Sequence, residues 1–369
     1  MLYFDYSATT FANDEVIKEF VDSLKEYVGN PNSSHKLGIK NKERIDKASL
    51  NIAKILNVKP SEIIYTSGAS ESNNLAIKGS CKALKGKHII TTRLEHSSVV
   101  APISRLCQEG YDLSFVNLNY DGRIDLSDLK KIIREDTAIV SIVAVDSELG
   151  IRQDIEQIGK ILKSYPNCYF HVDATQMIGK TKFDFKDVDL ISFSAHKFFG
   201  IKGIGCLIKK ENVKLFPLID GGRSTTKFRS GTPPLELIVS LEKALLLAYE
   251  NFESKLEFVK CISKDLKAFL KGYSDIKINN TSNSIDQIIN FSCNNSQKLL
   301  SLLNENDVYL SNKSACSKDT LSQTILSLYN DKKRAENSVR ISISYVTTKE
   351  EIKEFKKIFD KCYKEVINK

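Results

Sequence analysis

DLISFSAHKFFGIKGIGCLIKK, residues 189–210, sets two short apolar runs, DLISFS and GIGCLIKK, on either side of a histidine, a lysine, two aromatics and a glycine. Runs this short and this continuously apolar suit strands buried on both faces. The intervening His196 and Lys197 then fall at the end of a buried strand. A lysine drawn into a pocket loses solvation, its charged form is disfavoured, and it becomes usable as a nucleophile or base. The plain alternative is a surface lysine that snorkels to water.

Five further runs of the same kind precede this stretch: EIIYTS (62–67), KHIITT (87–92), YDLSFVN (111–117), TAIVSIVAV (137–145) and CYFHVD (168–173). Amphipathic stretches such as 97–108 and 154–164 separate several of them. This alternation predicts an α/β fold with a mostly parallel, seven-stranded sheet flanked by helices. Upstream, NDEVIKEFVDSLKEY (13–27) carries an Asn cap and acidic residues before an apolar stripe, and 36–56 reads as a second helix. DGGRSTTKFRSGTPP (220–234) reads as a long loop. A helical pattern from Leu235 leads into a smaller α+β domain. There, strands within 284–293 and 337–344 mix with helices over 298–305 and 348–366. The expected division is a large domain at 1–250, with segment 1–30 packing near the small domain, and a small domain at 251–369.

A chain of 369 residues, 41% hydrophobic and 27% charged, is large enough for two cores. The formal charge of +8, from 54 basic and 46 acidic residues, is spread along the sequence without a basic block, which argues against nucleic-acid binding. The acidic start MLYFDYSATT and the absence of an apolar run of ~20 residues argue against a signal peptide or a membrane span. A cytoplasmic protein is expected. The eight cysteines form no C-x-x-C pair and no metal-ligand spacing. Cys168 and Cys206 sit in apolar runs as small hydrophobes. Cys316, in LSNKSACSKD, lies among small polar residues with Lys313 and Lys318 nearby to favour a thiolate.

Ligands in open α/β sheets bind at the carboxyl ends of the strands. EIIYTS runs into GASESNNLAI, where a helix start and Ser70 could hold a phosphate or simply cap a helix. CYFHVDATQ delivers Asp173 and Gln176 to the same edge, although a lone carboxylate there can equally be a helix cap. SFSAHKFFG adds Ser194, His196 and Lys197, and TTRLEHSSVV adds His96. Of the five histidines only His88 falls outside a candidate segment, the others being His35, His96, His171 and His196. A phosphate site, a strand-end carboxylate and a strand-end lysine together match the needs of pyridoxal 5'-phosphate, with a histidine available to stack on its ring.

The motifs YFDYSATT, GNPNSSH, YTSGASESNNLAIKG, LEHSSV, HVDATQ, SFSAHKFFGIKGIG, RSGT, SNKSACS and VRISIS occur in the order seen in the NifS/IscS-like cysteine desulfurases, a class V aminotransferase group that this sequence resembles over nearly its whole length. The resemblance implies the type I fold of pyridoxal-phosphate enzymes and a homodimer. Lys197 would hold the cofactor and move protons at the substrate Cα, Asp173 would pair with the pyridine nitrogen, and Gln176 would contact the ring hydroxyl, helped by the position of Ser147. His96 would stack on the ring and assist proton transfer. Ala69, Ser70, Ser194 and His196 would bind the phosphate, joined by the partner subunit's Thr232. Arg340 and Asn30 would hold the carboxylate of L-cysteine, and Cys316 would accept the sulfur as a persulfide on a long loop. The sulfur would then pass to an acceptor such as an iron-sulfur scaffold or a tRNA-thiolation enzyme.

The chain departs from the family pattern at Ser147, where Asn is usual, at Ser224 and Thr225, at Lys313, and at Tyr345, where the family has a second arginine. A selenocysteine lyase or another class V lyase or aminotransferase, and a partner-binding homologue without activity, are the alternative readings.

Overall fold

The computed structural model describes residues 1–222, 224–312 and 321–367. Cys316 and Lys313 lie outside the described residues.

After β1 (Leu2–Tyr3), the strands β2 (Ile63–Thr66), β3 (His88–Thr91), β4 (Asp112–Phe115), β5 (Thr137–Val143), β6 (Tyr169–Asp173), β7 (Leu190–Ser194) and β8 (Gly205–Lys209) follow in chain order. The last seven form one sheet in the order β2-β8-β7-β6-β5-β3-β4. β4, β3, β5, β6 and β7 are mutually parallel, and β8 runs antiparallel to both β7 and β2. Every residue of β5, β6 and β7 is buried, which is why these runs are apolar without alternation. The edge strand β4 is the exception, with its ends exposed.

Helices form where the sequence caps them. Asn13 accepts from the Glu15 amide at 2.8 Å to start helix Asp14–Glu26, and helix Lys36–Leu56 ends at Asn57 in the left-handed region. Both pack on helix Leu235–Tyr249. The helical pattern entering from Leu235 does not continue unbroken: Asn251, at φ +50°, separates it from a second helix, Phe252–Leu270. The expected helix at 154–164 is shorter, Ile155–Leu162. Segment 220–234 holds no helix or strand among its described residues.

One hydrophobic core lies between the seven-stranded sheet and its helices. A separate core gathers Val259, Leu266, Phe291, Ile341, Phe355 and Phe359, around a three-stranded antiparallel sheet containing Ile288–Ser292 and Ser338–Ser342. Leu2 and Phe4 belong to this second core, and β1 pairs in parallel with Val308–Tyr309. The residues just after them, Asp5 to Thr10, therefore run between the two cores. Cys168 and Cys206 are buried, and burial raises both thiols. No helix among the described residues is long and apolar enough to cross a membrane.

Candidate functional site

The carboxyl ends of β2, β5, β6 and β7 open onto one cavity of about 410 Å³. At its floor β2 turns through Gly68 into helix Ala69–Ala83. The Ala69 amide donates to Ser194 Oγ at 2.8 Å, tying the helix start to the end of β7. Gly205 is pressed onto this turn: a Cβ there would lie 2.5 Å from Gly68 Cα. Backbone donors at a helix start beside a serine hydroxyl favour an anion.

Asp173 ends β6 and is 3% exposed. Its carboxylate accepts from Asn73 Nδ2 at 2.8 Å and from the Thr175 amide at 3.0 Å. Asn73 also donates to Ser98 Oγ at 2.9 Å, and that hydroxyl lies 2.8 Å from His96 Nδ1. Because His96 Nδ1 also accepts from the Ser98 amide at 3.1 Å, a neutral ring carries its proton on Nε2. Burial pushes the His96 imidazole below its ordinary range; the Asp173 carboxylate opposes this and the Lys197 charge adds to it. Asn73 thus links the carboxylate to the histidine.

The segment Asp5–Thr10 crosses the other wall. Lys197 Nζ donates to the carbonyls of Ser7 and Ala8 at 2.7 and 2.8 Å. Gln176 Nε2 donates to the same Ser7 carbonyl at 2.9 Å, and its Oε1 accepts from Lys180 Nζ. Thr9 Oγ1 lies 3.0 Å from His196 Nδ1, and Thr10 donates to the His196 carbonyl through both its amide and its hydroxyl. Burial pushes His196 down to about 4, with Lys197, Lys202 and Lys180 adding to the effect. Arg340, 1% exposed, donates through Nη2 to Asp5 Oδ1 at 2.7 Å and through Nη1 to the Ser147 carbonyl at 2.8 Å.

Ala69, Ser70, His96, Ser147, Asp173, Gln176, Ser194, His196, Lys197 and Arg340 all line this cavity. Asn30 does not: it is exposed, and its Oδ1 accepts from the Asn32 amide at 2.9 Å. Thr232 is exposed in the 220–234 loop, away from this cavity. The clustering of four histidines expected from sequence is halved. His171 lies two residues, about 7 Å, back from the end of β6, where Ser141 and Ser192 flank it at 2.8 and 3.0 Å inside the sheet. His35 caps helix Lys36–Leu56. Tyr345 has its ring 5.0 Å from that of Phe199 and 4.4 Å from Lys255 Nζ.

The sequence reading missed Asn73, Thr175, Lys180 and Asp5. An asparagine pair inside a helix, in SESNNLAI, was the one signal: such residues are poor helix formers that earn their place by side-chain bonds. Thr175 Oγ1 and Arg340 Nε are buried without a hydrogen-bond partner. An anion-receiving floor, a carboxylate and an amine at the walls, and unpaired polar atoms around a cavity of this volume together fit pyridoxal phosphate. Among the described residues no group of His, Cys, Asp and Glu is placed to hold a metal ion.

Residues 2–355 match the family model described as aminotransferase class-V. The chain is 38% identical over 361 residues to "Cysteine desulfurase IscS" of Dictyoglomus turgidum, spanning 95% of this chain and 91% of that one. It is 38% identical over 373 residues to the mitosomal cysteine desulfurase of Trachipleistophora hominis, spanning 96% and 84%. A solved NifS-like protein superposes with a TM-score of 0.93 at 33% identity, covering 98% of this chain and 99% of that one.

Proposed function

This chain belongs to the class-V aminotransferases, and on that premise we propose that it is a cysteine desulfurase, converting L-cysteine to L-alanine and passing the sulfur to Cys316 as a persulfide. The observation that carries the reading is the convergence of Lys197, Asp173 and Arg340 on one cavity floored by the Ala69 helix start. The full-length similarity to cysteine desulfurases supports the same activity.

Pyridoxal phosphate, when bound, supplies an electron sink for the charge left at the substrate Cα. The protein's own groups divide the rest. Lys197 holds the cofactor and then moves the Cα proton. Asp173, oriented by Asn73 Nδ2 and the Thr175 amide, would pair with the ring nitrogen. Gln176 and Ser147 would serve the ring hydroxyl, and His96 would be available to stack on the ring. Ala69, Ser70, Ser194 and His196 receive the phosphate, with the partner subunit's Thr232 in a homodimer. Arg340 would bind the substrate carboxylate, while the position of Asn30 outside the cavity leaves it no part in this reading. In the transfer the substrate C–S bond breaks, a Cys316 S–S bond forms, and the displaced carbon takes a proton to become alanine. A thiol reductant then releases sulfide and regenerates Cys316.

Division at residue 250 is part of this reading, supported by the two separate cores. So are cytoplasmic placement and delivery to an iron-sulfur scaffold or a tRNA-thiolation enzyme.

The test is to incubate the cofactor-loaded protein with L-cysteine and a reductant, measuring alanine and sulfide together. Equal yields, lost in Cys316→Ala and in Lys197→Ala, are expected. Alanine and sulfide formed at the normal rate by Cys316→Ala would overturn the persulfide route and favour a lyase.

A further inference from the structure

Lys180 is a half-buried lysine that the reaction above does not use. It ends a tight turn after β6: Gly179 adopts φ +73° and donates its amide to Tyr249 Oη at 2.9 Å, and a Cβ at Gly179 would meet Phe198 Cβ at 2.9 Å. The backbone of Lys180 is fixed from both sides, its amide donating to Met177 O at 3.0 Å and its carbonyl accepting from Gln287 Nε2 at 2.9 Å. The side chain then doubles back to Gln176, and this is its one side-chain hydrogen bond among the described residues. Burial pushes the Lys180 amine well below the ordinary lysine range, and the positive charges of Lys197 and Arg340 add to the effect. A methionine would fill the same space without placing an amine beside two positive charges, so space-filling does not account for a lysine here.

The amide of Gln176 is held at both ends by groups that dictate its orientation. The Ser7 carbonyl can only accept, and it takes one Nε2 proton at 2.9 Å. Lys180 Nζ donates to Oε1. Reversing the amide would set Oε1 against the Ser7 carbonyl and, with the amine protonated, Nε2 against its protons, turning two hydrogen bonds into two repulsions. Gln176 is 4% exposed and lines the cavity. The second Nε2 proton is the group left to face it.

We propose that Lys180 is a positioning residue, which locks the Gln176 amide so that the cavity receives an N–H donor and never the carbonyl oxygen. This rests on the reading above in which Gln176 meets the ring hydroxyl of pyridoxal phosphate. A fixed donor stabilises that oxygen as an anion; a freely flipping amide presents its own lone pairs for part of the time and loses that effect.

The experiment is a pH titration of the visible absorption of the cofactor-loaded protein, with the rate of cofactor loss after dilution as a second readout. The variants are Lys180→Met, Lys180→Gln, Gln176→Ala and the double variant Lys180→Met with Gln176→Ala. A donor lost from an anionic oxygen shifts the titration midpoint upward by about one pH unit. Lys180→Met is expected to shift it in that direction, and to add nothing once Gln176 is already alanine. Lys180→Gln keeps an uncharged donor and is expected to stay near the wild-type midpoint. A shift in Lys180→Met that is undiminished in the double variant, with Lys180→Gln behaving like Lys180→Met, would overturn the proposal, because Lys180 would then act through its charge alone. A Gln176→Ala variant with the wild-type midpoint would instead overturn the underlying placement of Gln176. Should Lys180→Met fail to fold, Lys180→Gln against Gln176→Ala still decides: a midpoint shifted as far as that of Gln176→Ala counts against the lock.

Discussion

Arg340 Nη2 donates to Asp5 Oδ1 at 2.7 Å across 335 positions of sequence, so a carboxylate from the N-terminal segment holds the guanidinium assigned to the substrate. The arginine is 1% exposed and its Nε has no partner. Breaking a buried pair leaves an uncompensated charge, and Asp5→Asn should lower unfolding stability in urea by about 3 kcal/mol. Arg340→Lys keeps the charge but loses the fork that matches a carboxylate. Its KM for L-cysteine should rise at least ~10-fold, the loss of about 1.4 kcal/mol of binding, while the bound cofactor's absorption stays unchanged. An unchanged KM would remove Arg340 from the substrate site.

Gly205 tests the floor of the cavity. Its missing Cβ faces backbone only, with Gly68 Cα at 2.5 Å and Gly68 C and Phe193 O at 2.7 Å, so no side chain can yield. Gly205→Ala must displace the Ala69 helix start, at about 1–3 kcal/mol. Cofactor affinity, measured by absorption during dialysis, should fall with it. Gly222→Ala, with nothing within 4 Å of its added carbon, is the control and should bind as the parent does.

Stability against pH has two limbs with opposite signs. Burial depresses His171 from 6.5 to about 4, so the unfolded chain binds the extra proton between those values. Its contribution, about 3 kcal/mol by the ordinary conversion, is present above pH 6.5 and lost as pH falls through about 4. Burial raises Glu95 from 4.5 to about 8. Its contribution is present below pH 4.5 and lost as pH rises through about 8. The two slopes oppose one another between pH 4.5 and 6.5, so urea midpoints should be nearly level there and fall as pH rises from 6.5 through about 8. His171→Asn should make the fall begin near pH 4.5, and Glu95→Gln should abolish it and leave a rise from pH 4 to 6.5; a Glu95→Gln curve parallel to the parent's between pH 6 and 9 would contradict the assignment.

The sheet was legible in the sequence because β5, β6 and β7 are buried on both faces and stay largely apolar up to the residues that line the cavity. Asp173, Ser194 and Lys197 could be found for the same reason: a charged or polar group directly after such a run has few other places to go. Asp5, Asn73 and Lys180 could not. Asp5 and Asn73 act through partners distant in sequence, at Arg340 and at Asp173 and Ser98, and Lys180 acts through the nearby Gln176, whose amide orientation depends on the distant Ser7. His171 was misjudged because periodicity places a side chain on a face but does not say how far along the strand the cavity reaches.

Asn73 is the residue whose loss should be felt furthest from itself. Its Nδ2 supplies one proton to Asp173 and one to Ser98, and the Ser98 hydroxyl in turn meets His96 Nδ1. Asn73→Ala leaves Asp173 with the Thr175 amide alone and should cost about 1–3 kcal/mol of stability, with faster cofactor loss because the carboxylate is free to turn. Asn73→Asp keeps the size but sets a second carboxylate at hydrogen-bond distance from Asp173. Two such groups cannot both ionise readily, so one is driven to hold a proton. The shared proton weakens Asp173 as the partner of a protonated ring nitrogen. Cofactor affinity should therefore fall in the order parent, Asn73→Ala, Asn73→Asp at pH 6, with the Asn73→Asp defect easing as pH rises to 8 and the shared proton is lost. Equilibrium dialysis with absorption detection measures this ranking. An Asn73→Asp variant that binds as tightly as the parent across that range would show that Asp173 does not need this neighbour to hold its charge.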